Sequence, residues 1–136
     1  MKIKLGLLLI TLVVPTIHVF GQTRTCETVY KTVDMNPTFE GGMNQLMDYS
    51  TKYLTPIISK YHDKDKELTG KMTMTLTIDA DGKVVDAELS NHKLPKDCEV
   101  EIRKQLLTMI GWTPAILNGQ KVCSKFAWII SGIKWG

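Results

Sequence analysis

The fold of this chain is decided by residues 71–90, which read KMTMTLTIDADGKVVDAELS. In residues 71–78 every second side chain is apolar and the others are lysine or threonine, which indicates a β-strand buried on one face. The turn sequence DADG follows, and Gly82 can adopt the positive φ that a tight hairpin turn requires. The alternation then resumes, which predicts an antiparallel hairpin. The side chains expected in the core are Met72, Met74, Leu76, Ile78, Val85, Ala87 and Leu89.

Before the hairpin, the sequence predicts one strand and one or two helical pieces. The segment Val29–Val33 alternates and is rich in β-branched residues, so it predicts a short strand. Apolar side chains recur at helical spacing from Met43 to Leu54. Pro56 disfavours helical geometry in the residue before it, so the helix should end near Thr55 and a second piece should begin at the proline.

After the hairpin, the pattern predicts a further helix and a closing pair of strands. Asp97 can cap a helix that Gly111 closes, with Ile102, Leu106, Met109 and Ile110 on its apolar side. Asn118-Gly119 is a strong hairpin-turn pair, and a long apolar strand should follow over residues 121–134. The order β-α-β-β-α-β-β predicts an α+β fold, with two helices packed on one face of a small three- to four-stranded antiparallel sheet.

Length and composition are those of one folded domain preceded by a targeting segment. The chain has 136 residues, of which 43% are apolar and 23% charged. Residues 1–21 combine two lysines, an apolar run and a small-residue exit, which together are typical of a secretory signal peptide cleaved after Gly21. A retained membrane anchor is the alternative, although Pro15 and polar residues dilute the second half of the segment. The predicted division is a signal peptide at 1–21, a short N-terminal segment at 22–31 and a domain at 32–136.

Cleavage would lower the net charge of the chain, and secretion would expose its cysteines to an oxidising compartment. The net charge of +3 would fall to +1, because residues 1–21 contain two lysines and no acid. An excess this small gives no support for a nucleic-acid partner. Secretion would place Cys26, Cys98 and Cys123 in an oxidising compartment, where one disulfide and one free thiol are expected. Three pairings are open, and we favour Cys98–Cys123.

The sequence contains no pattern that supports catalysis. His62 and His92 have no ligand or base partner at a useful spacing, so we expect solvated histidines and no metal site. The segment Asp79–Gly82 lacks the ligand spacing of a calcium loop, and no serine lies in a Gly-x-Ser-x-Gly context. We therefore expect a protein that is not an enzyme and has no cofactor and no small-molecule substrate.

Two features are not explained by folding alone. Residues 39–42, Phe-Glu-Gly-Gly, form a kinked entry into a helix, for which a ring packed as a hydrophobic staple is the simple explanation. The last strand is apolar on both faces, as expected of a central strand covered on both sides. If it is instead an edge strand, its unpaired backbone groups would accept a strand from a partner.

These motifs together resemble the C-terminal domain of TonB proteins, and the Bacteroidetes-type members look most similar. The resemblance covers roughly residues 29–135 and implies a TonB/TolA C-terminal-like fold. It rests on four motifs in the family's order: PTFEGG at 37–42, a glycine before the alternating strand, DGKVVD at 81–86, and WTPA with NGQKV at 112–122. The residues that carry it are Pro37, Phe39, Gly41, Gly42, Gly70, Asp81, Gly82, Trp112, Pro114, Asn118 and Gly119.

The resemblance implies a periplasmic protein that acts in transmembrane transport. In that family the domain pairs its last strand with the TonB box, a short segment of outer-membrane receptors. As part of an energy transducer, it thereby couples the inner-membrane proton-motive force to uptake through those receptors. That strand corresponds here to about residues 122–133, with Val122, Ser124, Phe126, Trp128 and Ile130 as the implied partner-binding residues.

The chain departs from that family in the part that precedes the domain. A full TonB has a membrane helix and a long spacer, whereas only about ten residues precede the domain here and could span about 35 Å. Strand pairing is therefore expected more strongly than energy transduction. The alternatives are a self-associating or sensing module that reuses the fold, as a homodimer for example, and a form anchored in the inner membrane and facing the periplasm.

Overall fold

The computed structural model describes residues 26–61 and 71–131. The expected signal peptide, His62, Gly70 and residues 132–136 lie outside this range. The elements of the described residues are β1 (Thr38–Phe39), α1 (Gly42–Tyr49), α2 (Thr55–Tyr61), β2 (Lys71–Ile78), β3 (Val84–Ser90), α3 (Lys96–Leu106), β4 (Trp112–Thr113), β5 (Ala115–Leu117), β6 (Gln120–Val122) and β7 (Ser124–Ser131). The predicted α+β class is confirmed.

The predicted hairpin forms as β2 and β3, and the Asp79 side chain stabilises its turn. The Asp79 carboxylate accepts hydrogen bonds from the amides of Asp81 and Lys83, at 2.9 and 2.8 Å. Gly82 donates its amide to the Asp79 carbonyl at 3.0 Å and has the expected positive φ, 81°. Asp79 itself is buried, so the turn satisfies a carboxylate that would otherwise be costly to bury.

A β-bulge in β3 corrects the predicted face of Val85. The register of the β2–β3 pair shifts between Thr77 and Ile78, and Val85 is the extra residue. Val84 is therefore buried, whereas Val85 is 36% exposed. A bulge adds one residue to one strand only, so strict alternation fails across it.

Strand β7 completes a three-stranded antiparallel sheet of order β3-β2-β7. It pairs with the whole of β2, from Ile78↔Ser124 to Lys71↔Ser131. The predicted long last strand is thus divided, because β6 pairs with β5 and Cys123 separates it from β7. Asn118-Gly119 forms the β5–β6 turn, with φ of 52° and 75° at its two residues.

The prediction placed the first strand too early in the chain. Within Val29–Val33 only Tyr30 forms a bridge, parallel to Ser124, and the first strand is β1, which pairs with β4. Strand propensity is realised only where tertiary structure supplies a partner, and this segment meets one at a single residue.

The first helical segment continues through the proline that was predicted to interrupt it. A π-helical turn over Ser50–Leu54 joins α1 to α2, and Pro56 is the second residue of α2. In that turn the Thr55 amide donates to the Ser50 carbonyl, five residues back. Because proline lacks an N–H but suits a helix start, the wider turn accommodates it without ending the helical path.

Helix α3 differs from its prediction at both ends. The residue that precedes its first turn is Pro95, and Asp97 lies within that turn without capping it. The helix ends at Leu106, before the predicted Gly111, and Ile110 is 85% exposed. The apolar residues of the sequence therefore keep a helical spacing past Leu106, although the helix has already ended there.

The core lies between the helices and one face of the sheet, while the threonine face of β2 remains outside it. None of the helices in the described part of the chain is long and apolar enough to cross a membrane. Fully buried side chains from both layers meet in the core, among them Leu46, Leu54, Ile58, Met74, Leu76, Ile78, Ile102, Leu106 and Trp128.

Helix α2 is also joined to α3 by polar contacts. Lys60 Nζ and the Tyr61 hydroxyl both donate to Glu101 Oε1, at 2.8 and 2.6 Å. The hydrogen bond from Lys60, followed by that from Tyr61, holds the pKa of Glu101 below its ordinary value.

Glu101→Gln should therefore destabilise the protein at neutral pH and have no effect in acid. Because the folded pKa is lowered, the carboxylate contributes stability above its unfolded pKa of about 4.3. That contribution is lost as pH falls through the folded pKa. Urea denaturation should show a difference in the free energy of unfolding between the two proteins that is constant above about pH 5 and disappears below about pH 4. In a Lys60→Met background this difference should be smaller. A difference that does not depend on pH would contradict the stabilising role of the Glu101 carboxylate.

Candidate functional site

Strand β7 lies at an edge of the three-stranded sheet. Strand β2 occupies one side of it, and among the described residues only Tyr30 pairs with its other side, at Ser124. An edge strand presents N–H and C=O groups to which a further strand can add. The sequence left open whether the last strand is a central strand or an edge strand, and in the described residues it is an edge strand.

The backbone groups that point outward from β7 belong to alternate residues. The Cys123 carbonyl accepts a hydrogen bond from the Tyr30 amide at 2.9 Å, on the side away from β2. In an antiparallel ladder both groups of one residue point the same way, and the direction reverses at the next residue. Lys125, Ala127 and Ile129 therefore direct their N–H and C=O outward. We call the backbone of residues 125–131, whose first position lies beside Tyr30, the open edge.

The side chains beside the open edge lie on the solvent face of the sheet. Ile129 is 60% exposed, and Ala127 is exposed next to it. Lys125 Nζ lies 3.6 Å from the Glu88 carboxylate on β3, across the sheet. The open edge thus offers one large apolar side chain and one cation, on a face otherwise rich in threonine.

The side chains implied as partner-binding lie elsewhere. Trp128 is 1% exposed and packs in the core, as the alternation of a strand requires when its other face is in solvent. The side chains of β7 that face solvent next to the open edge include those of Ala127 and Ile129, which the sequence reasoning did not select although the same alternation points to them. The implied set is buried or half-buried: Val122, Ser124, Phe126, Trp128 and Ile130.

A row of five aromatic rings connects the helical layer to the inner face of β7. The Trp112 ring lies 5.1 Å from Phe39 and 4.9 Å from Phe126, between ring centroids. Phe39 is 6.5 Å from Tyr49, which is 4.8 Å from Tyr53. Tilted and edge-on pairs at these distances are favourable beyond their buried area. The row therefore positions β7 against α1, β1 and β4.

Three of the motifs meet at Trp112. Phe39 of the first motif pairs with Trp112 across the β1–β4 ladder, and the Glu40 amide donates to the Gly111 carbonyl at 2.9 Å. Gly82 of the hairpin turn lies against the Trp112 backbone, where a Cβ would overlap the Trp112 carbonyl oxygen. Pro114 lies beside the same glycine.

The remaining motif residues shape loops. Pro37 is buried, and Gly41 and Gly42 have φ of 78° and 68° where the chain enters α1. In the Asn118-Gly119 turn, the Asn118 amide donates to the carboxylate of Asp34 at 2.8 Å. That bond ties the turn to the N-terminal segment.

The disulfide joins Cys26 to Cys123, with a Cα–Cα distance of 5.9 Å, so the expected Cys98–Cys123 pair is wrong. Cys98 is fully buried in α3, and burial raises the pKa of its thiol. It packs into the core and is kept away from Cys123. The pairing depends on a return of the N-terminal segment to the start of β7, which no local pattern reveals.

His92 is the histidine that the structure describes, and it makes structural contacts. His92 Nδ1 accepts the amide of Leu94 at 3.1 Å, and His92 Nε2 lies 3.8 Å from the Glu99 carboxylate. Within 26–61 and 71–131, no group of three or more histidine, cysteine or acidic side chains could hold a metal ion. What the site offers chemically is backbone hydrogen bonding at the open edge.

No protein-family model matches the chain. No curated protein matches it. No solved structure matches it either. The resemblance to TonB domains therefore rests on the sequence motifs alone.

Gly82→Ala should destabilise the protein more than Gly119→Ala. Both glycines have positive φ, 81° and 75°, which costs an alanine about 1–2 kcal/mol. Only Gly82 has a neighbour, the Trp112 carbonyl, in the place of the added Cβ, whereas nothing lies within 4 Å at Gly119. Urea denaturation should show a larger loss for the Gly82 variant. Equal losses would mean that the contact with Trp112 does not constrain the turn.

Proposed function

We propose that this chain is a periplasmic TonB-like domain that binds an extended segment, the TonB box, of outer-membrane transporters by strand addition. Its role would be in TonB-dependent transmembrane transport or accessory to it. The observation that carries the proposal is the open edge of β7. The family's pairing strand corresponds to β7, and the meeting of three family motifs at Trp112 adds support.

An added strand would bond to Ala127 and Ile129. Antiparallel pairing is slightly more stable than parallel pairing, and the two residues together supply two donors and two acceptors. A partner side chain opposite Ile129 would lie on the same face and should be apolar or β-branched. Each backbone bond contributes about 0.5–1.5 kcal/mol net, and ordering the peptide opposes it, so binding should be weak and reversible.

The shape of the molecule supports this mode of binding. The aromatic row includes Phe126 of β7, and β2 pairs with β7 along its whole length, so the backbone of the edge is already extended before a partner arrives. A preformed edge places the ordering cost on the peptide alone.

Ala127→Pro should abolish binding of TonB-box peptides and leave the fold intact. The variant removes the outward N–H of Ala127, and proline is tolerated in an edge strand where the N–H faces solvent. The measurement is a titration of ¹⁵N-labelled protein with synthetic TonB-box peptides, followed by NMR. The wild type should show shifts at residues 125–131, and the variant should show none.

Ala127→Val is the matched control, because it keeps the N–H and changes only the side chain. It should bind as the wild type does. Binding by the proline variant, or wild-type shifts only outside residues 125–131, would reject strand addition at this edge.

A second candidate function is self-association through the same edge. Two β7 strands related by a two-fold axis would form a continuous six-stranded sheet and bury the exposed Ile129 of each copy. Sedimentation at high concentration should then show a dimer, which Ile129→Lys should convert to monomer. A monomer at all concentrations would exclude this alternative and leave peptide binding unaffected.

A further inference from the structure

The N-terminal segment covers one end of the edge on which the proposed function rests. Tyr30 runs parallel to β7 at Ser124, and its amide donates to the Cys123 carbonyl. A parallel bridge places Tyr30 against the outward groups of Cys123 and Lys125, the residues on either side of Ser124. An incoming strand cannot pair at those positions while Tyr30 is there.

Two attachments hold this segment, one on each side of Tyr30. On the N-terminal side, the disulfide joins Cys26 to Cys123. On the C-terminal side, the amides of Asp34 and Met35 donate to the Ile116 carbonyl at 2.9 and 3.1 Å. If the disulfide opens, residues 26–33 keep only the single Tyr30 bridge to β7 and the second attachment, and the segment can then leave the edge by turning about Asp34.

We propose that the Cys26–Cys123 disulfide is a switch that sets the length of the docking edge. In the oxidised protein, residues 26–30 cover its first positions and only a short strand can add, from Ala127 onward. In the reduced protein the outward groups of Cys123 and Lys125 become free, and a longer strand can pair.

The reductant in this proposal is a dithiol. Two electrons and two protons pass from the dithiol to the disulfide, which breaks the S–S bond and leaves a thiol on Cys26 and another on Cys123. The dithiol is oxidised to its own disulfide. Cys98 takes no part, since it is fully buried in the core.

The partner chemistry follows from the added positions. A strand that extends past Ala127 gains a position opposite Lys125, whose ammonium lies on the solvent face near Glu88. An acidic residue there would pair with Lys125 across the strands. The reduced protein should therefore prefer a longer peptide with an acid at the end that lies beside Lys125.

The experiment compares two lengths of one peptide. Peptides of four and eight residues, both blocked at their ends and taken from a single TonB-box sequence, are titrated into protein purified from the periplasm. Dithiothreitol supplies the reduced form. The eight-residue peptide should bind about tenfold tighter after reduction, as two further backbone hydrogen bonds imply, while the affinity of the four-residue peptide stays constant.

The variant Tyr30→Pro tests whether Tyr30 blocks the edge, and it leaves the disulfide in place. Proline has no N–H for the Cys123 carbonyl, so residue 30 should no longer pair with the edge, although the disulfide still holds Cys26 beside Cys123 in the oxidised protein. This variant should bind the longer peptide as tightly as the reduced wild type does. Tyr30→Ala keeps the N–H and is the matched control, which should still respond to reduction. A Tyr30→Pro protein that binds like the oxidised wild type overturns the proposal.

Amide hydrogen exchange tests the switch without any peptide. Exchange at Lys125 should become at least tenfold faster on reduction, while Ala127 stays fast and Trp128, bonded to β2, stays slow. Unchanged exchange at Lys125 overturns the switch. If neither peptide binds in any form, the proposed function fails instead, and Lys125 exchange still decides whether the segment covers the edge.

Discussion

Pairing of β2 on both of its sides is the interaction on which the rest of the structure depends. Its apolar face supplies the centre of the core, and its two ladders position β3 and β7. With β2 in the middle, the two neighbours become edges of a three-stranded sheet. Among the described residues β7 has β2 on one side and only the Tyr30 bridge on the other, so most of its outer backbone has no strand partner there.

The aromatic row explains how distant motifs act on that edge. Trp112 is packed between Phe39 and Phe126, and its backbone lies against Gly82. Each motif taken singly is a turn or a helix entry. Together they place Trp112 against Phe126 on the inner face of β7.

The parts that sequence reasoning predicted are those set by local chemistry. The alternation of residues 71–76 and the turns at Gly82 and at Asn118-Gly119 depend only on neighbours along the chain and appear as expected. Thr77 is an exception, because it is buried although the alternation placed it on the exposed face. The errors fall where tertiary contacts intervene. The bulge at Val85 arises from the pairing of β3 with β2. Helix α3 ends before Ile110, whose helical spacing from the buried residues does not show that it lies in solvent.

The sequence alone was sufficient to predict the hairpin and the α+β class. It did not determine which side of β7 would be free, nor that Cys26 rather than Cys98 would reach Cys123. Those depend on residues about a hundred positions apart in the chain meeting in space. Periodicity records which way a side chain points, whereas an edge and a disulfide are defined by the neighbours that folding supplies.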